Sequence, residues 1–91
     1  MQVPVELKKK YLERRREDLK ALFNSLEQND FSQALRIGHQ VKGNAKTFEF
    51  PQMAILGIEI ENAARNQDKD RVVSLIQLMS QQIHLAQKTI P

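Results

Sequence analysis

His39 is followed at helical spacing by Lys42, Gly43 and Lys46. A neutral imidazole is a nucleophile and a proton carrier. On a helix, residues three, four and seven places further on share its side. An ammonium group there disfavours imidazolium, which keeps the ring nucleophilic, and it can neutralise an anionic group once attached. Gly43 is the informative neighbour. Glycine inside a helix costs about 1 kcal/mol relative to alanine. Close packing offsets that cost on a core face but not on an outer one, so something other than folding keeps the patch beside the imidazole bare. Leu35, one turn earlier, adds apolar surface for a partner. Arg36 and Gln40 flank His39 on either side and join Leu35 as candidate docking residues. Two descriptions fit this pattern: an exposed nucleophile with a clearing beside it, or an outward histidine on an ordinary charged helix.

The other reactive residue types find no such company. His84 falls on the outer side of its helix with no glycine or lysine at helical spacing, as a solvated residue would. Neither histidine has an Asp, Glu or His at i,i+3 or i,i+4 in a ligand pattern, so no metal site is expected. Met53 and Met79 are simplest as core. No Ser-His-Asp set or carboxylate pair can be argued from spacing. Gly43-Asn44-Ala45-Lys46 does not continue into a phosphate-binding loop, which argues against a nucleotide site and a kinase.

The elements that must carry these residues are helices. Apolar positions recur at helical spacing almost throughout, with no convincing alternating strand. The first helix is expected from about Pro4 to Gln28, with Leu12, Leu19 and Leu26 seven apart and Leu22 and Phe23 between them. Asn29-Asp30 breaks the pattern, and either can accept a bond from the free amides that open the next helix. The second helix is expected from about Phe31 to Phe48, its core stripe formed by Ala34, Ile37, Gly38, Val41, Ala45 and Phe48. Gly38 lies in that stripe, where a missing side chain lets a neighbouring helix approach. Pro51 suits the first position of a third helix and keeps Phe50 out of helical geometry. A very short connection therefore makes the second and third helices an antiparallel hairpin. The third helix is expected to run to about Asn66, with its stripe at Met53, Leu56, Ile60 and Ala63. Ile55 and Ile58 lie off that stripe, and either pack on the first helix or extend a docking surface from Leu35. The fourth helix is expected from about Asp70 to Lys88, buried through Val72, Leu75, Ile76, Met79, Ile83 and Ala86. Four amphipathic helices on short loops imply an all-α antiparallel bundle.

The chain has 91 residues, enough for one domain spanning 1–91 and a modest core,. Hydrophobic residues at 41% and charged residues at 27% fit a folded globular chain,. Cysteine is absent, which excludes disulfides and thiolate metal sites and is compatible with a reducing cytosol,. No apolar run is long enough for a membrane span. The stretch from Met1 to Lys10 does not read as a signal peptide, because charge follows early and no apolar core exists. The formal net charge is +3, concentrated in Lys8-Lys9-Lys10 and Arg14-Arg15-Arg16. Glu6 with Lys10 and Arg14 with Asp18 fall at i,i+4, so a solvated, internally paired face accounts for most of it. A basic nucleic-acid-binding bundle resting on Lys8 to Arg16 is a weaker alternative.

The segment His39-Gln40-Val41-Lys42-Gly43 resembles the His-x-x-Lys-Gly signature of histidine-phosphotransfer (HPt) domains. The similarity extends to Asp30-Phe31 before the second helix and to Phe50-Pro51-Gln52-Met53, Gly57 and Ile60-Glu61-Asn62-Ala63-Ala64, which resemble that family's third helix. Arg65-Asn66-Gln67-Asp68 resembles its polar turn, and the whole likeness covers roughly Leu12 to Ile83. The resemblance implies a cytoplasmic phosphorelay intermediate of two-component signalling that is not itself an enzyme. His39 would accept a phosphoryl group, through Nε2, from a receiver aspartate and pass it to another receiver. Lys42 would be the supporting cation, Gly43 would leave room for the phosphoryl group, and Lys46 would assist. No cofactor of its own is implied, since Mg²⁺ is expected on the partner receiver. Response-regulator receivers or a hybrid histidine kinase would be the partners, and the chain would be a monomer with no nucleic-acid or membrane partner. Two departures stand out. Glu49 occupies a turn position where glycine is common, so that turn cannot rely on glycine's access to positive φ, and Asn44 replaces a smaller residue. A competing function is a helical adaptor that binds a receiver or kinase without accepting phosphate.

Overall fold

The computed structural model describes residues 2–91 as four helices: α1 (Val5–Glu27), α2 (Ser32–Asn44), α3 (Pro51–Arg65) and α4 (Lys69–Thr89). Each packs on its neighbours in the order α1–α2–α3–α4–α1, and α2 and α3 are the most closely packed pair. The core is built from the apolar stripes. Leu12, Leu19, Leu22 and Leu26 of α1 meet Ala34, Ile37 and Val41 of α2, Met53 and Ile60 of α3, and Val72, Leu75, Ile76, Met79 and Ile83 of α4. Burying these side chains supplies the main driving force for the bundle.

The three turns share one design. Asp30 N–H donates to Ser25 O and Asn29 N–H to Leu26 O; the same pair of bonds recurs at Phe50–Ala45 with Glu49–Lys46, and at Asp68–Ala63 with Gln67–Ala64. This is the Schellman arrangement, which satisfies the last carbonyls of a helix and needs a left-handed residue. Asn29, Glu49 and Gln67 supply it at φ of 58°, 71° and 54°. Glu49 thus takes a positive φ without being glycine. Its carboxylate accepts from Val3 N at 2.8 Å and pairs with Lys8 at 3.3 Å, which ties the chain before α1 to the α2–α3 turn. Asp30 Oδ1 accepts from Ser32 N, and Asp68 Oδ1 from Arg71 N, at the starts of α2 and α4.

Several sequence expectations are corrected. Helix α2 ends at Asn44, not Phe48; the chain then turns through residues 45–50, so the hairpin connection is longer than expected. Aromatic packing explains this: Phe48 stacks on Tyr11 at 4.4 Å and Phe50 lies beyond at 6.0 Å, which draws the last turn toward α1. Tyr11 is itself buried and donates to Asn44 Oδ1 at 2.6 Å. Phe48 is half-buried and Phe23 is exposed. Arg15 is buried, not solvated: it lies over the Tyr11 ring and pairs with Asp18 at 2.9 Å. Two acids of α1 pair with bases three residues away, Glu6 with Lys9 and Asp18 with Arg15.

Candidate functional site

The site begins with a close crossing of α2 and α3. A Cβ on Gly38 would lie 2.8 Å from Glu61 N and 2.9 Å from Gly57 O; one on Gly57 would lie 2.7 Å from Lys42 N. Only two glycines facing each other allow the backbones so near. That approach brings side chains from one helix within bonding reach of those on the other.

Glu61 uses the opportunity. Its side chain is only 9% exposed, and it engages two α2 residues at once: Lys42 Nζ donates to Oε1 at 2.8 Å, and His39 Nδ1 lies 2.9 Å from Oε2. Arg65 Nη2 stands further off, at 3.8 Å. The bond from Lys42 holds the Glu61 carboxyl below its ordinary range; burial opposes this and the contact with His39 assists it,. Glu61 is therefore a carboxylate, an acceptor only. In neutral His39 the proton must then sit on Nδ1, and the lone pair on Nε2, across the ring from Glu61. The ring is 69% exposed. The product of this geometry is an accessible nucleophilic nitrogen whose tautomer is fixed by a neighbouring carboxylate.

The remaining sequence candidates fall around it. A Cβ on Gly43 would meet no heavy atom within 4 Å, so the surface there is open. Lys42 is exposed on α2, but its ammonium is bonded to Glu61, so its link to the imidazole runs through that carboxylate. Lys46 is exposed too, but it lies in the turn after α2 and so does not share the helical side of His39 as its spacing predicts. Leu35 is half-buried at the edge of the core. Arg36 is exposed and donates to Gln33 and Gln40. Ile55 and Ile58 are 52% and 43% exposed, which overturns the reading that packs them on the first helix. By helical spacing Ile58 shares the side of α3 that carries Glu61 and Arg65. His84 is exposed on α4, on the side where Arg16 of α1 lies.

Sequence reasoning missed the role of Glu61. Its only signal was its place within Ile60-Glu61-Asn62-Ala63-Ala64; that it faces His39 depends on the helix crossing, which spacing along one helix cannot show.

No curated protein and no solved structure matches the chain. A family model does: that of the Hpt domain, whose members act in histidine phosphotransfer within two-component signalling, matches residues 6–89. With four helices, a nearly full-length match and no strand among the described residues, the chain belongs to the Hpt domain family.

Proposed function

We propose that this chain is a phosphorelay carrier that accepts a phosphoryl group on Nε2 of His39 from the aspartyl phosphate of one receiver domain and hands it to another. The observation that carries this reading is the bond between His39 Nδ1 and the Glu61 carboxylate, which leaves Nε2 with its lone pair on an exposed ring. Nε2 attacks phosphorus, a P–N bond forms, and the P–O bond to the receiver aspartate breaks with its electron pair leaving on the carboxylate. The ring becomes positively charged while Nδ1 keeps its proton, and Glu61 stabilises that charge where it develops. The open surface at Gly43 receives the phosphoryl oxygens, with Lys42 of α2 and Lys46 of the following turn as supporting cations,. The receiver supplies the aspartate and Mg²⁺, while the chain contributes the carrier nitrogen and the groups that orient it and balance its charge. The docking face comprises Leu35, Arg36, Gln40, Ile55 and Ile58. These partners place the exchange in the cytoplasm, and one copy of the chain supplies every residue invoked.

Transfer of label from phosphorylated receiver domains of the same source tests the reading. Wild type should acquire label that is labile in acid and stable in base. His39→Gln should acquire none while keeping its helical spectrum, and His84→Gln should match wild type. Acid-labile label on His39→Gln, or its loss from His84→Gln, would end the assignment.

A further inference from the structure

Among the cations on the His39 side of the hairpin, Arg36 is held differently from the rest. Lys42 and Arg65 are directed at the Glu61 carboxylate. Arg36 is fixed by neutral groups. Its Nε and Nη2 donate to Gln33 Oε1 at 3.2 and 2.7 Å, and its Nη1 donates to Gln40 Oε1 at 3.4 Å. The glutamines align the guanidinium and leave its charge uncancelled. Helix α2, Ser32–Asn44, contains no Asp or Glu that could cancel it. Three of the five N–H donors of an arginine are used this way, so a donor remains on each terminal nitrogen. The planar fork can then offer a donor from each terminal nitrogen to a carboxylate. Much of the entropy lost when a long side chain is immobilised on binding is already spent in this geometry. Arg36 lies three residues before His39, so its fork sits beside the reacting ring on the same exposed surface,.

We infer that Arg36 is a specificity-determining residue of the docking face: its guanidinium, aligned by Gln33 and Gln40, pairs with a carboxylate on the surface of the receiver domain that exchanges phosphate with His39. The inference rests on the relay function proposed above and adds the chemistry by which a receiver is chosen. Receivers with an acidic side chain opposite Arg36 exchange quickly; receivers with a basic one are repelled. The contribution is to encounter and register, so it belongs mainly to the association rate and weakens with salt.

The experiment uses the full chain, label donated by receiver domains charged with acetyl phosphate, and label donated by phosphoramidate, a small donor with no protein surface. Transfer from the fastest receiver is followed at about 20 mM and about 500 mM salt, which moves the screening length from well above to below the size of the contact. Arg36→Gln should be slower than wild type by about tenfold at low salt, and the two should converge at high salt. The Gln33→Leu/Gln40→Leu variant keeps the charge and loses the alignment; it should be several-fold slower than wild type, with most of the salt dependence retained. Arg36→Lys should recover part of the rate. A deficit of Arg36→Gln that is the same at both salt concentrations would mean a structural role and overturn the inference, as would a wild-type rate in either variant. Failure of the underlying relay reading shows separately, as a wild-type chain that takes no label on His39 from phosphoramidate or from any receiver.

Discussion

Gly38 and Gly43 stand little more than one turn apart on α2, yet their surroundings are opposite. Beside Gly38 the backbone of α3 fills the space that a methyl group would need, at 2.8 and 2.9 Å; beside Gly43 there is nothing within 4 Å. One glycine is explained by the fold and the other is not. The inner face of α2 uses a missing side chain to bring a second helix, and with it Glu61, up to His39. The outer face uses a missing side chain to leave the surface beside His39 open. The same residue type thus serves assembly in one place and access in the other, and the helix between them carries the reactive ring.

The comparison is broken most directly by filling the outer gap. Gly43→Leu should fold at least as stably as wild type, since leucine is the better helix former by up to about 1 kcal/mol. Its phosphate exchange with receivers should nevertheless fall by on the order of 100-fold, the scale of loss when reacting groups are held out of position. Urea titration together with receiver-to-chain label transfer measures both. Normal transfer in this variant would show that the open surface has no part in the chemistry.

Filling the inner gap should act in the reverse order, through stability first. Gly38→Ala and Gly57→Ala each place a methyl group under 3.0 Å from backbone atoms, so α2 and α3 must move apart. Overpacking of this kind costs about 1–3 kcal/mol, to be read as a lower urea midpoint. The separation should also lengthen the contact between Glu61 and His39, visible as a change in the ring's nitrogen chemical shifts. Unchanged stability in both variants would contradict the close crossing.

The smallest expected effect concerns Glu61 alone. Its carboxyl is lowered from the ordinary 4.5 chiefly by the bond from Lys42. A group with a lowered folded value stabilises the protein above its unfolded value, and that contribution is lost as pH falls through the folded one. Wild type should therefore lose stability relative to Glu61→Gln as pH drops below about 4.5, and the two should run parallel above it. Parallel curves throughout would mean that the carboxylate is not held by its neighbours in solution.

The fold was legible because its apolar residues repeat at 3.6-residue spacing and because Pro51 and the polar turns punctuate them. The site was half legible. His39, Lys42 and Gly43 lie on one helix, where spacing is geometry. Glu61 reaches them across a helix pair, and the contact depends on an approach distance that spacing does not encode. Arg15 and Tyr11 were hidden for a related reason: a basic run reads as solvated until an aromatic ring and Asp18 are seen to receive one member of it. The turns concealed themselves differently. Sequence rules look for glycine at a left-handed helix end, and here Asn29, Glu49 and Gln67 take that role. Ile55 and Ile58 could be kept off the core stripe by periodicity, but whether they packed on α1 or faced outward required the packed bundle.

On the relay reading proposed above, the open ground at Gly43 bears on how long a phosphoryl group stays on His39. A surface that admits a receiver admits water as well, and nothing within 4 Å of that position folds over to shed it. Enzymes that protect reactive intermediates do so by closing upon them and excluding solvent; among the described residues no element is placed to do so there. The lifetime of the phosphorylated state is then set by the intrinsic persistence of the phosphorus–nitrogen bond and by how soon the next receiver arrives. Such a carrier suits throughput better than storage: its occupancy follows the supply of donors and acceptors, and lapses when that supply stops.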